Sequence, residues 1–242
     1  VSSLTYTRYE VLRTVRNRRF FVFSLIFPLV LFYVVAGSNR HAHLNGISFP
    51  LYYMTGMIAF GTMTAVVAGG GRIALDRSLG WARQMRITPL SPGAYLRAKV
   101  VTGYMMALIS LVLISLAGVT LGVHLTPAHW ALLAALVLVG IAPFAVLGIL
   151  MGTVLTADSM GPALGGLVTI FALLGGSFGQ LFASGTMHQV IMVLPSYWLV
   201  QASTFALDGR AWPIEGWVVI GVWTAGFALL AWLAYRRDTA RV

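Results

Sequence analysis

Gly175-Gly176-Ser177-Phe178-Gly179 fits the Gly-x-Ser-x-Gly pattern that presents a nucleophilic serine in hydrolases. Such a serine needs a histidine base within hydrogen-bond reach. The five histidines, His41, His43, His124, His129 and His188, all lie between the long apolar stretches, and the last stretch has none. With 26 glycines in the chain the pattern arises readily by chance. Its simpler reading is a small-residue face for close helix packing, as at Gly118–Gly122, Gly148–Gly152 and Gly161–Gly165. His41-x-His43 has the spacing of two metal ligands, but its loop holds no carboxylate to complete a site. The absence of cysteine removes thiolate metal sites, disulfides and a cysteine nucleophile. The single lysine, Lys99, sits in Arg97-Ala98-Lys99-Val100 without the Gly-x-x-x-x-Gly-Lys-Ser/Thr loop that cradles nucleotide phosphates. No catalytic, cofactor-binding or metal-ligating residue is therefore assigned, and the chain cannot be its own ATP motor. Adaptable side chains are plentiful instead. Met54, Met57, Phe60, Met105, Phe171 and Phe178 form a candidate path for a lipophilic cargo.

The elements that position these residues must lie in lipid. Charged residues are 9% of the 242, against roughly 25% in a soluble domain, and mean hydropathy is +0.87. Six stretches approach the about 20 apolar residues that cross a bilayer: 20–36, 50–71, 100–123, 130–155, 162–182 and 213–235. Pro28 and Pro143 fall inside the first and fourth, and Pro143 predicts a kink. Of the 16 basic residues, Arg8, Arg13, Arg16, Arg18 and Arg19 precede the first stretch. Arg72, Arg77, Arg83, Arg86, Arg97 and Lys99 lie between the second and third, and Arg236, Arg237 and Arg241 follow the last. Only Arg40 and Arg210 fall on the other side. This asymmetry places both termini in the cytoplasm and explains the formal charge of +10. A nucleic-acid partner would need an aromatic-studded soluble domain, and none is present. The fold class is an all-α integral membrane protein: one transmembrane domain over 1–242, multi-pass in a bacterial cytoplasmic membrane.

The connections are unequal. Residues 1–19 suggest an interfacial helix with Leu4, Val11 and Val15 on one face, its arginines on lipid headgroups. The outer segment 183–212 is too apolar for water and too short to cross, so it is expected to dip back into the membrane as short re-entrant helices. The alternative is an interfacial helix anchored by Trp198 and Trp212. Gly69-Gly70-Gly71 predicts either a hinge or a loose helix end. Asp158 or Ser159 should cap the fifth span, with Pro162 in its first turn. The cytoplasmic segment 72–99 allows a helix from Ala74 to Ile87, stopped by Thr88-Pro89, and a second one started by Ser91-Pro92. A short amphipathic helix held by breaks at both ends suits docking to a soluble partner.

Asp76, Arg77, Gly80, Met85, Thr88, Pro89, Leu90 and Lys99 match the segment that ABC-2 type permeases carry between spans two and three. The chain departs from that pattern at Ser78, where the family usually has Glu, and at Trp81, where it usually has Thr. Leu194-Pro195-Ser196-Tyr197-Trp198 also resembles the family's segment before the last span. By motif and layout the chain resembles the membrane subunit of a bacterial ABC exporter, and is most similar to daunorubicin-type drug-efflux permeases. The resemblance implies ATPase coupling through Asp76, Arg77, Gly80, Trp81, Met85, Thr88, Pro89 and Leu90. It implies an external gate at Leu194, Pro195, Tyr197 and Trp198. The expected partners are two ABC ATPase subunits carrying ATP and Mg, and a second permease subunit in a homodimer or heterodimer. The expected cargo is a drug, lipophilic natural product or lipid. The rival class is an ion-coupled carrier, against which stands the lack of a mid-depth carboxylate or lysine in the spans. A rhomboid-like intramembrane protease is the other alternative.

Overall fold

The computed structural model describes residues 3–16, 22–44, 46–80, 91–179 and 186–240. Helix α1 is Ser3–Val15. A π-helical turn, Val22–Ile26, leads into α2, Phe27–Ser38. Two residues on each side, His43–Leu44 (β1) and Ile47–Ser48 (β2), make an antiparallel hairpin where the sequence suggests a plain loop. The long helices follow: α3 Phe49–Ser78, α4 Pro92–Thr120, α5 Pro127–Gly140, α6 Ala142–Val154 and α7 Ala157–Gly175. Two short helices, α8 Thr186–Met192 and α9 Pro195–Leu207, precede α10, Ile214–Ala240.

Among the described residues five helices are long and apolar enough to cross a membrane, with α5 and α6 taken together. The α8–α9 pair, bent by 83°, brings the number to six if it counts as one span. Within the stretch expected as the first span, the described residues form a shorter apolar helix, Ser24–Ser38. At 1.5 Å per residue it reaches about 22 Å, less than the ~30 Å hydrocarbon core. Its π turns lie just before Pro28, which has no N–H to donate. The kink expected at Pro143 is present: the fourth span breaks at Ile141, between α5 and α6. The cap of α7 is Thr156, not Asp158 or Ser159. Thr156 and Ser159 form a reciprocal capping box, and Pro162 lies inside the helix.

Helix α3 is the axis of the bundle, packed against α2, α4, α6, α7 and α9. Small and flexible residues allow this. Met54, Met57, Ala59, Met63, Ala65 and Val66 are all buried along it. Gly69-Gly70-Gly71 is neither a hinge nor a loose end, because α3 runs unbroken through it for seven more residues. A Cβ on Gly69 would lie 2.9 Å from Gly103 Cα of α4. One on Gly70 would lie 2.5 Å from the main chain of Gly148 and Ile149 in α6. From the other side, a Cβ on Gly152 would lie 2.6 Å from the Gly70 carbonyl. Two helices thus cross α3 at backbone contact, and the glycines exist for that approach. Gly148–Gly152 fulfils the expected packing role, whereas Gly161 and Gly165 face open space.

Candidate functional site

The segment carrying the permease-like motif hangs between two helix feet. α3 ends at Ser78, with Leu79 as C-cap and Gly80 at φ +68°, a left-handed conformation that ends helices and favours glycine. The helix predicted from Ala74 to Ile87 is therefore interrupted at Gly80. α4 restarts at Pro92, where Ser91 accepts a hydrogen bond from the Ala94 N–H, as its Ser-Pro signal predicts. Residues 81–90, with Trp81, Met85, Thr88, Pro89 and Leu90, lie outside the described residues.

The two feet and α1 meet in a buried cluster of charges. Lys99 of α4 donates to Glu10 Oε1 and to Asp76 Oδ2, each at 2.6 Å. Asp76 also accepts from Tyr95 Oη at 3.0 Å and, on Oδ1, from Arg13 at 3.0 Å. Arg72 donates to Thr14 Oγ1 and lies 3.9 Å from Glu10. Lys99, Asp76 and Glu10 are 1%, 2% and 3% exposed, which makes these pairs unlike surface salt bridges. Burial alone would lower the Arg13 pKa. The charge of Asp76, its hydrogen bond and Glu10 outweigh that and raise it. Three cations face two carboxylates, and Lys99 bridges both acids. Removing Lys99 takes from both carboxylates their closest cation in a water-poor site.

The depth of this cluster follows from length. α3 has 30 residues, so it spans roughly 45 Å and overshoots a ~30 Å core by about ten residues. Arg72 and Asp76 lie in its last seven residues, so these ionisable groups stand at one end of the bundle. Arg77, next to Asp76, turns the other way. Its guanidinium reaches the carbonyls of Gly152 and Thr153 at the C-terminus of α6, a favourable place for a cation. Asp76 thus ties α3 to α1 and α4, and Arg77 ties it to α6.

Glu10, Thr14, Arg72 and Tyr95 were not singled out by the sequence patterns. α1 explains why. Its inward residues, Tyr6, Glu10 and Thr14, form a polar stripe at i, i+4 and i+8, while Leu12 is exposed and Val11 only half-buried. A search for an apolar face selects Leu4, Val11 and Val15 and passes over the stripe that packs. The available signal was the scarcity of acid: Glu10 is one of only 6 carboxylates, placed among arginines.

At the far end of α3 the expected gate and cargo residues are partly brought together. Pro195 starts α9 with Leu194 as its N-cap. Trp198 donates to the Met192 carbonyl at 2.8 Å, and Gln201 donates to Tyr197 Oη at 3.0 Å. Trp198 and Trp212 are buried against Gly216, so neither points outward as an anchor. Phe60 and Phe178 lie 5.3 Å apart, and Phe171 packs on Phe144 at 5.4 Å. Met54 and Met57 are wholly buried in the core, and Met105 is half-buried on α4. Only Phe178 of these six lines the cavity at that end. Ser177 is buried, with no hydrogen-bond partner for its hydroxyl among the described residues. The histidine rings bond or pack elsewhere: His43 to the His41 carbonyl, His129 to Thr126, His188 on Tyr197.

Residues 39–236 match the sequence model of the ABC-2 family transporter proteins. The chain belongs to the ABC-2 family. It is also 29% identical over 191 residues, 78% of each chain, to a Bacillus subtilis (strain 168) protein named "Putative transport permease YvfS". This ABC-2 chain is thus a permease subunit of a transporter, and the family implies an ABC ATPase partner. The family match begins at residue 39, so α2 and the whole of α1 precede it. The ABC-2 permease here secures its motif-bearing feet with a carboxylate, Glu10, from outside the matched region.

Proposed function

We propose that this permease moves a drug, lipophilic natural product or lipid outward across a bacterial cytoplasmic membrane, driven by two copies of a separate ABC ATPase. A second permease subunit, identical or homologous, completes the pathway. The observation that carries the reading is that Asp76 and Lys99 bind each other from the two helices that frame residues 79–91. In this reading the basic end faces the cytoplasm, and residues 81–90 dock on the ATPase. Hydrolysis of ATP to ADP and phosphate on that partner, with Mg as its cofactor, would supply the energy. The chain's own residues do the mechanical part. A displacement of 81–90 moves the feet of α3 and α4 together, because Lys99 and Asp76 hold them at hydrogen-bond distance. Arg77 passes the same displacement to α6 and the turn into α7. The glycine crossings then transmit it along α3 to the far end, where the bent α8–α9 pair acts as gate.

The test is co-expression with the nearest-encoded ABC ATPase, followed by reconstitution in liposomes. The two should co-purify, and transport should require ATP. Gly80→Pro, which cannot adopt φ +68°, should insert normally yet transport less per ATP hydrolysed. Failure to co-purify, or transport that survives ATP depletion and stops when an ion gradient is collapsed, contradicts the proposal.

A further inference from the structure

The end of the bundle opposite the charge cluster holds a cavity of about 630 Å³. Among the described residues it is walled by α2, the hairpin, α3, the turn after α7 and α9, with Phe49, Tyr52, Tyr53, Phe178, Gln201 and Thr204 in the lining. Its aromatic surfaces are ordered by pairing. Phe49 and Tyr53 stack with their planes 10° apart, and Phe178 packs on Phe60. Two backbone features keep the Phe178 side in place. The Ser177 carbonyl sits against Gly56 of α3, where no Cβ would fit, and Gly179 has φ +126°.

The lining chemistry selects the occupant. Among the described residues no lining side chain carries a charge, and the polar groups are the tyrosine hydroxyls, Gln201 and Thr204. An ion entering here would lose water without gaining a counter-charge, which is unfavourable. An uncharged lipophile loses nothing comparable and gains flat aromatic contact. The volume is within the roughly 300–1,000 Å³ of sites that enclose drug-sized ligands. We infer that this cavity binds one uncharged lipophile, aromatic or acyl in character, with its few polar atoms toward Gln201 and Thr204. That the lipophile is transported cargo rests on the proposed function. The binding does not, since it requires neither the ATPase nor ATP.

The experiment uses the full chain in lipid nanodiscs and two fluorescent probes of similar size, neutral N-phenyl-1-naphthylamine and anionic 1-anilinonaphthalene-8-sulfonate, with protein-free discs subtracted. Thr204 is exposed on the cavity wall, so Thr204→Trp can fill the space without entering the core. Thr204→Val controls for loss of the hydroxyl. The neutral probe should saturate one site, bind at least tenfold more weakly in Thr204→Trp, and weaken by a smaller factor in Thr204→Val, which keeps the volume and loses only the hydroxyl. Co-purified lipid that is lost in Thr204→Trp would assign the occupant to the membrane. Unchanged lipid with probe binding intact would assign it to a free lipophile, and both results support the site. Equal neutral-probe affinity in wild type and Thr204→Trp overturns the inference, and so does equal affinity for the anionic probe. Intact ATP-driven transport beside absent probe binding would remove this site alone, while saturable binding without ATP-driven transport would remove only the cargo role.

Discussion

Replacing Lys99 by Met should destabilise the permease by about 3–5 kcal/mol, the usual result of taking one partner from a buried ion pair. The substitution keeps the aliphatic stem and removes the charge that both Glu10 and Asp76 face at 2.6 Å. Asp76 retains Arg13 and Tyr95, but Glu10 is left with only the longer approaches of Arg72 at 3.9 Å and Arg13 at 4.0 Å. The two carboxylates then repel across a site with almost no solvent access. Tryptophan-fluorescence melting in detergent measures the loss. A second substitution separates charge from volume: Glu10→Gln added to Lys99→Met should recover part of the stability. If packing alone mattered, the pair would be at least as unstable as Lys99→Met, and the double-mutant cycle would report no coupling.

The other large effect is expected at Gly70. Valine there must place its Cβ 2.5 Å from the main-chain atoms of Gly148 and Ile149. Backbone cannot rotate away as a side chain can, so α3 and α6 must separate. The cost should lie at or above the upper end of the about 1–3 kcal/mol typical of overpacked interiors. Membrane-inserted protein should fall sharply, and the surviving fraction should melt well below wild type. Gly165→Ala is the matched control, since its Cβ meets nothing within 4 Å. A Gly70→Val protein that melts like the control would mean that the two helices do not cross at backbone contact.

The membrane class and most of the layout could be read from the amino acids, because lipid imposes length and hydropathy on a span more strictly than water does. The break at Pro143 and the Ser91-Pro92 helix start follow from local backbone chemistry and were legible for that reason. What the sequence left obscure depends on pairs of elements. Gly69-Gly70-Gly71 looks like a weak point when α3 is considered alone. It becomes a crossing at backbone contact only when Gly103 and Gly148 are laid against it. Likewise Asp76 and Arg77 match a family motif and invite the idea of a surface for a partner. Their side chains are already engaged within the chain, Asp76 with Lys99 and Arg77 with the end of α6. The inward face of α1 is hard to read for a physical reason. Amphipathicity presumes that the buried face is apolar, whereas this helix buries Glu10 and Thr14 against cations. The first apolar stretch has enough hydropathy for a span, and its described part carries a π-helical turn just before Pro28, which hydropathy does not reveal.

The central claim is that the buried charges at the feet of α3 and α4 carry the ATPase stroke into the spans, with α1 as their third support. Glu10→Gln tests it most directly. The amide keeps the shape and still accepts a hydrogen bond from Lys99, which remains paired with Asp76, so the fold should survive. The measurement is cargo transported per ATP hydrolysed, in liposomes containing both subunits, for wild type and Glu10→Gln. The expected result is hydrolysis near the wild-type rate with transport per ATP reduced several-fold. An unchanged ratio in a normally assembled Glu10→Gln complex would contradict the claim.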